Sequence, residues 1–311
     1  MLRPFSSMIV DCYTHVWDSA AQLGHSFPSN GKAMGPLGGV STPVNAGIAR
    51  HLAASHPVTT TFVVGFTSRY LEADIPNDRL SAYVKDHPDR LVGFAGIDPS
   101  RPRTAIAEMR RAAQELGMKG LSVAPAAQDF HPTSSHAMRV YAEAAELGLP
   151  MIFHTGVHLN AAAKLAYAQP LLLDEVAREC ATLKIVIAHL GYPWVAETLV
   201  LLRKHANVFA EISWILPQPW EAYQALLGAH QHGVMEKLLF GSGFPLGAAS
   251  QCIEALYSIN HLCSGTSLPT IPREALRGIV ERDALGLLGI RPPATGLATP
   301  TSREDDGELL A

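Results

Sequence analysis

Eight short apolar runs recur along the chain, and a stretch with helical periodicity follows each one. The runs are MIVD (8–11), TTFVVGF (60–66), LVGFAGID (91–98), MKGLSVAP (118–125), PMIFHTG (150–156), KIVIAHLG (184–191), NVFAEIS (207–213) and KLLFGSG (237–243). They are rich in β-branched residues and nearly continuous in apolar side chains, with no clean alternation. Such runs belong to parallel strands covered on both faces. Eight of them, each with its helix, is the count of a (β/α)8 barrel.

The intervening segments agree with that count. In RTAIAEMRRAAQELG, residues Ile106, Met109, Ala113 and Leu116 recur on one helical face. HAMRVYAEAAELG repeats the pattern with Met138, Tyr141 and Ala145. Each helix ends in ELG, where Gly117 and Gly148 suit the left-handed position that closes a helix. An open doubly wound sheet is the competing architecture, and it requires a G-x-G-x-x-G phosphate loop directly after the first strand. The glycines of GPLGG (35–39) lie well away from that strand and lack the spacing. They read as a flexible loop.

With 311 residues, 48% of them hydrophobic, the chain can build one full core, and a single domain is expected over 1–290. The Gly/Ser/Pro-rich stretch 18–43 reads as a lid-like loop on the rim of the barrel. The segment 291–311, Pro/Thr-rich and then acidic, reads as a disordered tail. A net charge of −4 argues against a nucleic-acid binder. No apolar run reaches the roughly 18 residues of a membrane span, and MLRPFSSMIVD does not follow the pattern of a signal peptide. Four cysteines without close pairing (Cys12, Cys180, Cys252, Cys263) point to a reducing cytoplasm.

Barrel active sites form at the C-terminal ends of the strands, which acts as a filter on the 14 histidines. Strand 1 delivers Tyr13 and His15, strand 5 His154, strand 6 His189, strand 7 Glu211 and Ser213, and strand 8 Ser242 and Gly243. Three imidazoles and a phenol from separate strand ends can converge on one pocket. Neutral imidazole serves equally as a Zn2+ ligand and as a proton shuttle near neutral pH. His51, His56, His87, His205, His230 and His232 fall on helices or turns and read as solvated. Trp17, Trp194, Trp214 and Phe244 neighbour the motif residues and are candidate walls of a flat pocket. Arg69 and Arg101, after strands 2 and 3, read as solvated residues before carboxylate anchors.

At this point the sequence resembles the amidohydrolase superfamily, in its amidohydrolase-related branch. That branch contains aminocarboxymuconate-semialdehyde decarboxylases, resorcylate-type decarboxylases and pyrone-dicarboxylate lactonases. The likeness runs through HPDRLVGFAGIDP, ELGMKGLSVAP, ELGLPMIFHTG, IVIAHLGYPWVAE, LLFGSGFP and RDALGLLGI. The family pattern is D-x-H-x-H on strand 1, His on strands 5 and 6, and Asp in GSDxP on strand 8. The resemblance implies that Asp11 opens the motif, that His15 and His154 stand at metal-ligand positions, and that His189 is the acid/base. Two ligand positions depart: Tyr13 replaces the first histidine and Gly243 the aspartate. Strand 4 also lacks the lysine that bridges two metals in binuclear relatives.

A catalytic Zn2+ needs three protein ligands and an open position, and only His15 and His154 remain. Three readings follow. The first is a hydrolase or lyase for a small organic acid, amide or lactone, with His189, His154, His15 and Tyr13 as acid/base groups. Trp17, Trp194, Trp214, Phe244, Ser242 and Glu211 would line its pocket, with weak or no metal dependence. The second is a rearranged mononuclear metal enzyme, Zn2+ first among candidates, recruiting Tyr13, Glu211 or His158. The third is a non-catalytic small-molecule binder or regulator. The survival of three histidines together favours chemistry. The resemblance also implies a homodimer.

Overall fold

Each of the eight runs forms a strand in the computed structural model, which describes residues 8–26, 46–156 and 160–292. The strands are β1 Val10–Thr14, β2 Thr60–Val64, β3 Leu91–Gly96, β4 Gly120–Val123, β5 Met151–Phe153, β6 Ile185–Ile187, β7 Val208–Glu211 and β8 Leu238–Leu239. They pair in chain order, all parallel, in one eight-stranded sheet. The sheet curls until its last strand meets its first. The Cys12 amide donates to the Phe240 carbonyl and the His15 amide to the Phe244 carbonyl, each at 2.9 Å. Thr14 and Phe244 add a parallel bridge. This is the (β/α)8 barrel expected from the sequence.

One helix follows each strand: α1 Ile48–Ala54, α2 Asn77–Asp86, α3 Pro102–Gln114, α4 Ser135–Glu146, α5 Leu173–Glu179, α6 Val195–Lys204, α7 Pro219–Gln231 and α8 Ala249–Tyr257. Among the described residues two more, α9 Arg273–Val280 and α10 Ala284–Leu288, follow α8, and one further helical turn, Pro125–Gln128, precedes α4. The 18–43 loop from residue 27 onward, the GPLGG glycines, His158 and the tail from residue 293 lie outside the described residues.

Two apolar layers result from the period-2 geometry of the strands. Phe62, Val64, Phe94, Ile152, Val186 and Leu239 fill the barrel interior, joined by Ala284, Leu285 and Leu288 of α10. Phe62 and Phe94 stack there at 4.7 Å between centroids. Val63, Ala95, Leu121, Phe153, Ile187 and Phe240 face outward and pack under the helices. Both faces are buried, which is why the sequence showed runs instead of alternation.

The helix faces are rotated from the expected ones by one position. The most buried residues of α3 are Ala105, Met109 and Ala112, and those of α4 are Ala137, Val140, Tyr141 and Ala144. Ile106, Ala113, Met138 and Ala145 flank these rows, partly buried. Alanines take the line of closest approach because a helix can lie nearer the sheet there, and the larger side chains fill the grooves beside it. Gly117 and Gly148 adopt φ of 75° and 65° as helix terminators.

His51 corrects a sequence expectation. It is not solvated but fully buried on α1. Its Nδ1 lies 2.7 Å from the Tyr83 hydroxyl and its Nε2 2.9 Å from Thr14 Oγ1. Thr14 Oγ1 in turn donates to the Phe62 carbonyl at 2.5 Å. With its proton spent on that carbonyl, Thr14 accepts from His51 Nε2–H, and His51 Nδ1 accepts from Tyr83. A neutral imidazole fits this relay and an imidazolium does not. Burial, with some help from the charge of Arg90, holds the His51 pKa down at about 4. The relay ties α1 to residue 14, between Tyr13 and His15.

This has a measurable consequence for stability. A histidine whose pKa is depressed on folding stabilises above its unfolded pKa, near 6.5, and that contribution is lost as pH falls toward the folded value. The stability difference between the native chain and His51→Gln is expected to shrink by about 2 kcal/mol between about pH 7 and pH 5. Urea titrations of both proteins at each pH measure it, and all other titrating groups cancel in the difference.

Candidate active site

The site begins with an irregularity in β1. Val10 and Asp11 pair with Thr60 and Thr61, but Thr14 pairs with Val63, so β1 carries one extra residue. Such a bulge re-aims the side chains beyond it. Cys12 and Tyr13, though adjacent, both join the interior set, while Thr14 turns outward to His51. The bulge therefore sends the Tyr13 ring into the barrel. The buried carboxylate of Asp11 caps it, accepting from the Tyr13 amide at 3.2 Å and the Ser242 amide at 2.9 Å. Burial lifts Asp11 to about 7 against those two hydrogen bonds.

Four rings then meet at the strand ends. Tyr13 lies 4.9 Å from His15, 6.1 Å from His154 and 4.8 Å from His189, all edge-to-face between centroids. His154 and His189 are 4.9 Å apart. The Tyr13 hydroxyl stands 3.1 Å from His154 Nδ1. His15 Nδ1 is 2.7 Å from the Val64 carbonyl, which only accepts, so His15 carries its proton on Nδ1 and turns a bare Nε2 away from β2. Burial keeps both groups uncharged at neutral pH. It lowers His15 to about 4, and it raises Tyr13 well above an ordinary phenol, with the charge of Glu211 adding to the effect.

His189 is held differently. Residues 189–191 take left-handed backbone in succession, with φ of 55°, 51° and 66°. For a histidine and a leucine this conformation costs energy and persists only where surrounding contacts impose it. The contacts come from Glu211 at the end of β7, which has no exposed surface. Its Oε1 accepts from the His189 amide at 2.6 Å and its Oε2 from the Ser213 amide at 2.7 Å. His189 Nδ1 lies 3.1 Å from Glu211 Oε1 and 2.7 Å from Ser213 Oγ. Burial would raise Glu211, but His189 beside it and these hydrogen bonds prevail and hold it below the usual carboxylate range.

Two glycines of the strand-8 motif make room. A Cβ on Gly241 would sit 2.3 Å from Glu211 Oε2 and 3.3 Å from Tyr13 Cβ. Gly243 has φ of 69°, and a Cβ there would press to 3.1 Å from Ser213 Cβ. The backbone at the aspartate position of the family pattern is thus left-handed, with the Ser213 side chain against it.

The sequence candidates distribute as follows. Tyr13, His15, His154, His189 and Glu211 come together. Trp214 lies 6.2 Å from His189 between centroids. Trp17 and Trp194 are half-buried at the ends of β1 and β6. Phe244 and Ser242 face the helical layer instead. Phe244 is buried against His51 at 5.0 Å between centroids, and Ser242 Oγ accepts from the Phe244 amide at 3.2 Å. Arg69 and Arg101 are exposed and line a separate cleft of about 600 Å³ at the starts of α2 and α3. The left-handed turn at His189 and the part played by Gly241 left no readable mark in the sequence, since AHLGYP and FGSG fit many backbones.

A parallel barrel with ionisable groups gathered at the C-terminal ends of its strands has the build of a (β/α)8 enzyme. A family model described as Amidohydrolase matches residues 10–263. The chain belongs to this amidohydrolase family. Among solved structures it is similar to a TIM-barrel protein of Bordetella bronchiseptica described as uncharacterized. That match has 19% identity and a TM-score of 0.67 over 91% of this chain and 98% of the other. It is also similar to 5-carboxyvanillate decarboxylase of Novosphingobium aromaticivorans, solved with manganese and 4-hydroxy-3-methoxy-5-nitrobenzoic acid. Here identity is 13% and the TM-score 0.65, over 92% and 97% of the two chains. A third is a probable 2-pyrone-4,6-dicarboxylic acid hydrolase of Acinetobacter baumannii with citric acid bound. Identity is 17% and the TM-score 0.63, over 91% and 99%. No helix among the described residues is long and apolar enough to cross a membrane.

The crowding at Gly241 is directly testable. Gly241→Ala forces a methyl group onto a carboxylate that its hydrogen bonds hold in place. The expected loss is about 3 kcal/mol, from overpacking plus broken buried hydrogen bonds, read as a lower urea midpoint.

Proposed function

We propose that this protein is an amidohydrolase-family hydrolase or decarboxylase for a small, flat organic acid or lactone. In this reading it works by acid–base chemistry from His189, with Tyr13, His154 and His15 around the reacting group, and with weak or no metal dependence. The observation that carries the proposal is the His189 ring. Its Nδ1 edge is fixed on Glu211 and Ser213, and its other edge lies among the rings of Tyr13, His154 and Trp214.

The donor set does not fit a family-type mononuclear metal. Gly243 offers no oxygen, and its left-handed backbone and Ser213 occupy the space from which a carboxylate would reach. Tyr13 would have to bind as phenolate and give up the contact of its hydroxyl with His154 Nδ1. Glu211 is held by the amides of His189 and Ser213 and lies against the His189 ring. Among the described residues no three His, Cys, Asp or Glu side chains converge as a ligand set.

The same residues suit proton transfer. With its proton on Nδ1, His189 offers a basic Nε2 that can take a proton from an attacking water. In hydrolysis it can return that proton to the leaving oxygen; in decarboxylation it can take the proton of the substrate carboxyl group and deliver it to the ring carbon from which CO2 departs. The Tyr13 phenol, paired with His154, is a donor for a carbonyl or carboxyl oxygen that gains charge. His15, neutral at neutral pH, presents Nε2 as an acceptor for a substrate hydroxyl or protonated carboxyl. Trp214, Trp17 and Trp194 are the candidate walls, which favours a planar substrate.

The test is turnover of hydroxybenzoates, other carboxylated phenols and pyrone-type lactones by protein dialysed against chelator. Activity is expected to persist without added metal, and His189→Asn is expected to lower kcat by about 10²–10⁴-fold, the usual worth of a positioned acid/base. Activity that vanishes on chelation and returns with Mn2+ or Zn2+ would overturn the metal-independent reading. Turnover that survives His189→Asn would overturn the assignment of the base.

A further inference from the structure

We infer that Glu211 and Ser213 are positioning residues that fix the tautomer of His189, holding its proton on Nδ1 so that Nε2 is the atom shown to substrate. The inference rests on the reading of His189 as the acid/base and names what makes it one. Both residues touch the ring cluster at His189 Nδ1. Both are buried, with 0% and 1% of their surface exposed, and both act through the imidazole.

The geometry is specific. A carboxylate accepts and cannot donate, so the approach of Nδ1 to 3.1 Å from Glu211 Oε1 favours the tautomer with the proton on that nitrogen. Ser213 Oγ, 2.7 Å from the same nitrogen, gives that proton a second acceptor. The Glu211 carboxylate is itself immobilised by the amides of His189 and Ser213. One carboxylate thus grips both the backbone and the ring of His189, and the left-handed turn follows from that double grip. A histidine packed for stability alone needs no such hold on one chosen nitrogen.

The arrangement also explains Gly243. Any side chain there would press on Ser213, so a hydroxyl aimed at His189 and a carboxylate on β8 compete for the same space. In this chain the fixed negative charge of the site resides on β7, beneath the imidazole.

The experiment is a long-range 1H–15N correlation spectrum of 15N-histidine-labelled protein at alkaline pH, with His189 assigned by its absence in His189→Asn. In the native chain Nδ1 is expected at the pyrrole-type shift and Nε2 at the pyridine-type shift. In Glu211→Gln, checked for intact fold by circular dichroism, the ring is expected to move toward the Nε2–H form, because the amide has one acceptor oxygen for the two backbone N–H groups and its NH2 is satisfied by an unprotonated Nδ1. An Nε2–H tautomer in the native chain overturns the inference, as does a folded Glu211→Gln with an unchanged ring. If Glu211→Gln does not fold, the native spectrum decides by itself. No substrate enters the measurement, so failure of the catalytic reading and failure of the tautomer assignment are separately visible.

Discussion

A carboxylate with no exposed surface must be surrounded by donors or the fold pays several kcal/mol for its desolvation. Glu211 meets that demand at the end of β7, and much of the site follows from how it does so. The amides of His189 and Ser213 must point at it, which forces the backbone after β6 into left-handed space. The imidazole of His189 must lie beside it, which selects the nitrogen that carries the proton. Residue 241 on the neighbouring strand must have no side chain, because the carboxylate occupies that volume. Three strands are thereby fitted to one buried charge.

The other side of the site follows the opposite rule and stays uncharged. Tyr13 is buried and His15 half-buried without an ionised partner of their own, and both are held neutral. Behind them His51, Tyr83 and Thr14 form a second neutral chain that ends on the Phe62 carbonyl. Along that chain Tyr83 donates to His51, His51 donates to Thr14, and Thr14 donates to the Phe62 carbonyl. Such a network resists rearrangement because any change of protonation leaves a buried group unpaired. Together with Asp11 it fixes the bulge of β1, and with it the directions of Tyr13 and His15.

The barrel was legible because burial on both faces writes itself as runs of apolar residues, and because the αβ turns repeat ELG. The gathering of Tyr13, His15, His154, His189 and Glu211 was legible because strand ends in a barrel share one rim. What the sequence hid depends on contacts far apart in the chain. His51 looked solvated because its partners, Tyr83 and Thr14, are distant in sequence. Phe244 and Ser242 looked like pocket residues because proximity to a motif does not reveal on which side of a strand a side chain falls. Phe244 packs in the outer layer against His51, and the Ser242 hydroxyl accepts from the Phe244 amide. The rotated faces of α3 and α4 were hidden because periodicity finds an apolar stripe but not which row touches the sheet.

The two departures from the family pattern read at first as separate gaps, a tyrosine for a histidine and a glycine for an aspartate. In space each vacated role has been reassigned. The hydroxyl of Tyr13 reaches His154 at 3.1 Å, so the phenol binds a neighbouring imidazole where a strand-1 histidine would have faced an ion. The space beside Gly243 is taken by Ser213, whose hydroxyl serves His189. An aspartate at 243 would press on the Ser213 side chain, and a histidine at 13 would remove the hydroxyl that meets His154 Nδ1. A site that had merely decayed would leave orphaned imidazoles and open space at those two positions. Here both are filled by groups that hydrogen-bond the remaining histidines, which is the physical ground for reading the constellation as rebuilt around proton transfer.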